Sequence, residues 1–144
     1  MKKLIVSIIL LAVLLLPFNG FGGDGQVQMS VTTALDAVTV ALSTTQTSSV
    51  IDLANVRGYF SVQYLITGDG TITLSYTLSN DGSTYLLPSA DSDIATGLTK
   101  TSGPGSDGKD IIMFNPSIAR FMKITATETG GANSAVVTVN TAIE

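Results

Sequence analysis

The sequence predicts an all-β protein, a single antiparallel β-sandwich of about eight to nine strands behind an N-terminal signal peptide. Three observations predict it. Thr, Ser, Val and Ile dominate the 144 residues, and these are the types that fit a pleated, half-buried surface. Turn residues recur roughly every eight to twelve positions. No stretch spaces its apolar residues three and four apart over a useful length, so helices have no support.

In chain order, Met1-Lys2-Lys3 supplies a positive start, residues 4–16 are apolar apart from Ser7, and Pro17 ends any helix they form. As a helix this run rises about 20 Å against a hydrocarbon core of roughly 30 Å, so a removable signal is the stronger reading and a retained anchor the weaker. Gly20-Phe21-Gly22 offers a small-x-small cleavage pattern, which divides the chain into a signal peptide, 1–22, and a sandwich domain, 23–144. The expected compartment is secreted or cell surface, with no stable membrane span and no cysteine to carry a lipid.

Strands are expected at 26–32, 37–43 and 50–53, and then in the two clearest segments. Residues 59–67 alternate Phe60, Val62, Tyr64 and Ile66 inward, and residues 71–79 alternate Ile72, Leu74, Tyr76 and Leu78 inward. Gly68-Asp69-Gly70 between them predicts a hairpin. Further strands are expected at 84–87, 110–114, 120–127 and 135–142, with turns at Asn80-Asp81-Gly82, Asn115-Pro116 and Gly130-Gly131-Ala132-Asn133. Residues 88–108 are polar and glycine-rich. They read as the longest loop, with at most one helical turn at 91–96, and loops of that length are where binding is first sought.

Composition excludes much chemistry. There is no His and no Cys, hence no Ser-His-Asp triad, no Cys-His nucleophile, no imidazole or thiolate zinc site and no disulfide. The expectation is therefore a protein that is not an enzyme. The charge is −4, and loss of residues 1–22 leaves 5 basic and 11 acidic side chains. Five scattered cations cannot neutralise a phosphate backbone, so no nucleic-acid partner is expected.

Several motifs reduce to turns. Gly20-x-Gly22-x-x-Gly25 matches a dinucleotide fingerprint in letters but lacks the strand before it and the helix after it. Gly103 to Asp110 falls one residue short of a phosphate-binding loop, with a repelling carboxylate at the last position and no room for a helix. Ser106-x-x-Lys109 mimics a serine-lysine pair without the fold such enzymes need. Asp69, Asp81 and Asp107 each precede glycine, as turn formers do, which leaves Glu128 the least explained acid.

The remaining candidates surround the 88–108 loop. Asp91, Asp93, Asp107 and Asp110 offer oxygen ligands suited to calcium, the one cofactor considered, although the spacing is not that of an EF-hand. Tyr85, near a strand end, is the candidate ring for a glycan contact, and with Asp91, Asp93 and Asp107 it makes up the expected ligand-binding set. The partners this implies are a glycan or protein surface ligand, or further copies of the chain.

Two family resemblances add to this. Ser49-Val50-Ile51-Asp52-Leu53, Ser79-Asn80-Asp81-Gly82-Ser83-Thr84-Tyr85 and Ala119-Arg120-Phe121-Met122-Lys123-Ile124 occur in an order that resembles discoidin-like, galactose-binding-fold modules. That resemblance implies a jelly-roll-like sandwich of eight strands whose variable loops bind ligands, and it transfers no individual contact residue. The chain lacks the cysteines that often bracket such domains and carries Tyr85 where a Trp often follows the turn. Residues 34–88 are also similar to small β-sandwich proteins of phage virions, which implies a structural role; a signal peptide departs from that pattern. The resulting expectation is an exported, non-catalytic sandwich for surface binding or extracellular assembly. The alternatives are a phage-type virion protein and a glycan-binding module with a loop calcium site.

Overall fold

Alternation of large apolar side chains with Thr and Ser gives the clearest strands one dry face, and two sheets must close over those faces. The computed structural model describes residues 29–54, 56, 58–89 and 92–144. The signal segment and the first half of the strand expected at 26–32 lie outside them. Among the described residues nine strands form in order: β1 Ser30–Val40, β2 Thr45–Thr47, β3 Ile51–Asp52, β4 Phe60–Gly68, β5 Ile72–Ser79, β6 Asp93–Leu98, β7 Lys109–Phe114, β8 Phe121–Glu128 and β9 Ala135–Ile143.

The first sheet has the order β1-β9-β4-β7, and the second runs β2-β8-β5-β6 with β3 also paired to β8. Every one of these pairings is antiparallel. With β2 and β3 counted as one interrupted strand, the sheets read 1-8-3-6 and 2-7-4-5, the double-sheet arrangement of a jelly roll. Val62, Ile66, Val137 and Val139 of the first sheet and Ile72, Leu74, Met122 and Ile124 of the second meet in a core closed to solvent.

The expected inward phases are observed from Phe60 to Ile66 and from Ile72 to Tyr76, with Tyr64 and Tyr76 buried as predicted, whereas at the end of β5 Leu78 is half-buried and Ser79 is buried. The expected hairpin is not. β4 pairs with β9 and β7 while β5 pairs with β8 and β6, so 68–70 crosses from one sheet to the other. A hairpin and a crossing place Ile66 and Ile72 inward alike, and alternation cannot separate them. The crossing is fixed by its neighbours: Gly70 N–H donates to Ser134 O at 3.1 Å, and a Cβ on Gly70 would stand 2.7 Å from Asn133 O.

Other boundaries move for similar reasons. Residues 30–32 of the strand expected at 26–32 and 37–40 of the strand expected at 37–43 belong to one strand, β1, which stays on β9 through two register shifts and a positive φ at Ala37, and 41–43 lie in the turn beyond it. The strand expected at 84–87 is a single bridge, Leu78↔Leu86. The 88–108 segment is not one long loop, because β6 lies within it, paired to β5. No helical turn is present in its described part. β6 and β2 lack a clean apolar alternation, and each is a strand because a neighbouring edge needs backbone partners.

Candidate functional site

The 99–108 segment is a hydrogen-bonded turn that leads into β7. Gly108 N–H donates to Ser102 O at 2.9 Å, Ser106 N–H donates to Gly103 O at 3.0 Å, and Ser106 itself has a φ of 52°. Lys100 and Asp69 form an ion pair that ties this turn to the 68–70 crossing. The motif resembling a phosphate loop is therefore a compact turn that runs directly into a strand.

Asp107 and Asp110 stay close to that turn. Asp107 Oδ2 pairs with Lys109 Nζ at 3.2 Å, and Asp110 sits opposite Tyr64 on β4, where its Oδ1 accepts the Ile111 N–H at 2.8 Å. Burial, then the charges of Asp110 and Asp107, push the Tyr64 phenol up. Asp93 is elsewhere, at the far end of β6 and level with Ser75, five residues or roughly 16 Å of strand from Leu98. Asp91 lies outside the described residues. Among the described residues, no three carboxylates gather to hold a cation, so the expected calcium set is not assembled by them.

Tyr85 lies on the outer face of the second sheet. Its ring is half-buried, the Lys123 ammonium sits 4.1 Å from the ring centroid, and its hydroxyl is buried without a hydrogen-bond partner. A cation over the ring makes it a packing element and leaves less of its surface free as a sugar platform.

Glu128, unexplained in the sequence, becomes clear at the end of β8. Its carboxylate accepts N–H bonds from Ser43 at 3.0 Å, Gly130 at 2.8 Å and Gly131 at 3.1 Å, with a longer one from Thr71 at 3.4 Å. Three separate connections, β1–β2, β4–β5 and β8–β9, meet on this one side chain. The Ser43 donor, with the other backbone donors, holds the carboxyl below the usual glutamate range against the opposing effect of burial. It is a clamp between connections.

The three segments of the discoidin-like resemblance come together at one end of the sandwich. β3 pairs with β8 through Ile51↔Met122 and Asp52↔Phe121, Arg120 Nη2 bonds Asp52 Oδ2 at 3.2 Å, and Asn80 Oδ1 accepts the Arg120 N–H at 3.2 Å. Asp81 organises the turn by accepting N–H bonds from Ser83 and Thr84, each at 2.8 Å, and the Ser79 hydroxyl at 2.8 Å. Those donors, Thr84 first, depress its carboxyl strongly. Beside the turn runs a shallow groove of about 600 Å³ lined in part by Leu86, Leu87 and Ile118.

The outer faces of the sheets differ. On the second sheet Thr45, Thr127 and Thr73 lie in one row and Thr47, Thr125 and Ser75 in the next, with hydroxyl pairs Thr45–Thr127 at 2.8 Å and Ser75–Thr125 at 2.7 Å. That face is polar and largely self-satisfied. The first sheet carries Ile111 and Met113 of β7 outward, and Tyr59 and Met29 line the same shallow groove. Sequence reasoning passed over Ile111, Met113 and Met29, and placed Tyr59, like Tyr85, near a strand end where a ring could reach solvent. The available signal was Ile111-Ile112-Met113-Phe114, an unbroken apolar run where one face of the strand should be wet.

The chain matches no protein-family model and no curated protein. Among solved structures it is similar to the VP2 subviral particle of infectious bursal disease virus, with a TM-score of 0.54 and 14% identity over 88% of this chain. It spans 37% of the length of that viral chain. T=1 particles derived from the same virus give a TM-score of 0.48 at 13% identity over 89% of this chain and 36% of that one. At this identity the first match establishes a shared β-sandwich fold.

Proposed function

We propose that this chain is a non-catalytic structural subunit, a virion-type β-sandwich that associates with further copies of itself. The observation that supports it most is the strand order, 1-8-3-6 over 2-7-4-5, together with a fold likeness to the VP2 subviral particle over 88% of the chain. An architecture of two sheets packed over one closed core suits a building block. The absence of His and Cys from the sequence fits a role without chemistry. Export through residues 1–22 would place assembly outside the cytoplasm or at the cell surface.

A second reading, an exported module that binds a surface ligand, draws on the convergence of Ile51-Asp52-Leu53, the Asp81 turn and Arg120 beside the groove at one end of the sandwich. Mass in solution separates the two. Light scattering of the purified chain, with and without calcium, is expected to show growth with concentration, and electron microscopy to show regular particles or arrays. A stable monomer across the accessible range would overturn the assembly reading and turn the search to glycan and protein ligands of the groove.

A further inference from the structure

Sheet edges expose unpaired backbone groups, and among the described residues three of the four edges are blunted. β2 is three residues long; β6 is shifted twice against β5 and holds Gly97 at a φ of 68°; β1 is shifted twice against β9 and holds Ala37 at a φ of 46°. Short and bulged edges resist pairing with another chain. β7 is built differently. Its six residues pair with β4 in one unbroken register, from Phe60↔Phe114 to Leu65↔Lys109, and none has a positive φ. Its outward side chains Ile111 and Met113 are 64% and 71% exposed.

The bond from Ile66 N–H to Gly108 O, 2.9 Å, sets the phase of this edge. Asp110, Ile112 and Phe114 turn their backbone groups toward β4, and Lys109, Ile111 and Met113 turn theirs away. Two of the outward donors are capped from within the chain, Lys109 N–H by Asp107 Oδ1 at 3.3 Å and Ile111 N–H by Asp110 Oδ1 at 2.8 Å.

We propose that β7 is the contact between copies of this chain, two β7 strands pairing antiparallel about a two-fold axis at Ile112 and joining two four-stranded sheets into one. The proposal rests on the assembly reading above and names its surface. A second copy is the fitting occupant because the edge is complementary to itself. With the axis at Ile112, Ile111 faces Met113 of the second copy on the outer face, Ile112 faces its own mate on the core side, and Lys109 falls opposite Asn115. No like charges meet. Moving the axis to Ile111 would set two charges against apolar side chains, Lys109 against Met113 and Asp110 against Ile112, whereas the axis at Ile112 leaves one such pairing, Asp110 against Phe114. Charge argues the same way: copies of a chain with net charge −4 repel through most surfaces, whereas on this edge Lys109 is already neutralised by Asp107. Ile111 N–H then exchanges the Asp110 carboxylate for a carbonyl of the second copy, so Asp110 competes with association and limits it.

The absence of native cysteine makes the test clean. Residues facing each other at a non-hydrogen-bonded antiparallel position have Cα atoms about 4.5 Å apart, within disulfide reach. In the full chain, Ile112→Cys is expected to give a disulfide-linked dimer under mild oxidation, and Thr47→Cys on the opposite sheet is expected to give none. Met113→Lys, at an exposed position, should weaken association by about tenfold or more, and Asp110→Ala should strengthen it. If the chain associates but Ile112→Cys does not cross-link and Met113→Lys changes nothing, copies meet elsewhere and this inference falls while the assembly reading stands. If the wild type and Asp110→Ala are both monomeric at all concentrations, both fall.

Discussion

Glu128 shows how one side chain can hold several connections. Its carboxylate collects donors from three of them, and its pKa lies below the unfolded value. A carboxyl depressed in the folded state contributes stability that is complete above its unfolded pKa and is lost as pH falls through the folded one. Glu128→Gln is therefore expected to lower the melting temperature at neutral pH, with the gap to wild type closing in acid. Thermal unfolding of both proteins from pH 7 to pH 2 checks this, and a constant gap would reject the clamp. Asp81 obeys the same sign at the other end of the sandwich, where Thr84 and Ser83 N–H groups hold it ionised.

Among the elements, the crossing between β4 and β5 decides the topology. Gly70 sits against the β8–β9 connection so closely that a methyl group would meet Asn133 O at 2.7 Å and the Ser134 carbonyl carbon at 2.8 Å. Backbone cannot yield there as a flexible side chain would. Gly70→Ala is expected to destabilise the fold by about 1–3 kcal/mol, the usual cost of overpacking, and urea unfolding measures it. Gly131→Ala offers a contrast of cause, since a Cβ there meets nothing within 4 Å and only its φ of 68° opposes the change.

For the whole molecule, the proposed association of an acidic chain through a largely apolar strand edge sets long-range repulsion against a short-range apolar contact. Raising salt from about 0.1 M to about 1 M shortens the screening length from about 10 Å to about 3 Å, which removes the repulsion and leaves the contact. Association is expected to strengthen over that range, followed by sedimentation at fixed protein concentration. Weakening would mean that ion pairs, not β7, hold copies together. Among the described residues no helix is long and apolar enough to cross a membrane.

Much of the fold was legible in sequence because period-two alternation is a property of each strand alone. Residues 60–66 and 72–76 reveal their inward phases without knowledge of any partner. The same locality explains the failures. Alternation leaves a hairpin and a crossing indistinguishable at 68–70, and it is silent for β2 and β6, which are strands only because β8 and β5 present open backbone beside them. It also spread the acids Asp93, Asp107 and Asp110 around one imagined loop, when β6 carries the first away from the other two. By itself the sequence determined the class of fold, the face each strong strand buries, the missing chemistry and the acidic charge, since all of these follow from residue type and spacing. Only the tertiary structure decided which strands are neighbours, where Glu128 points and which edge of the described sheets is unbroken, because each depends on contacts between residues far apart in the chain.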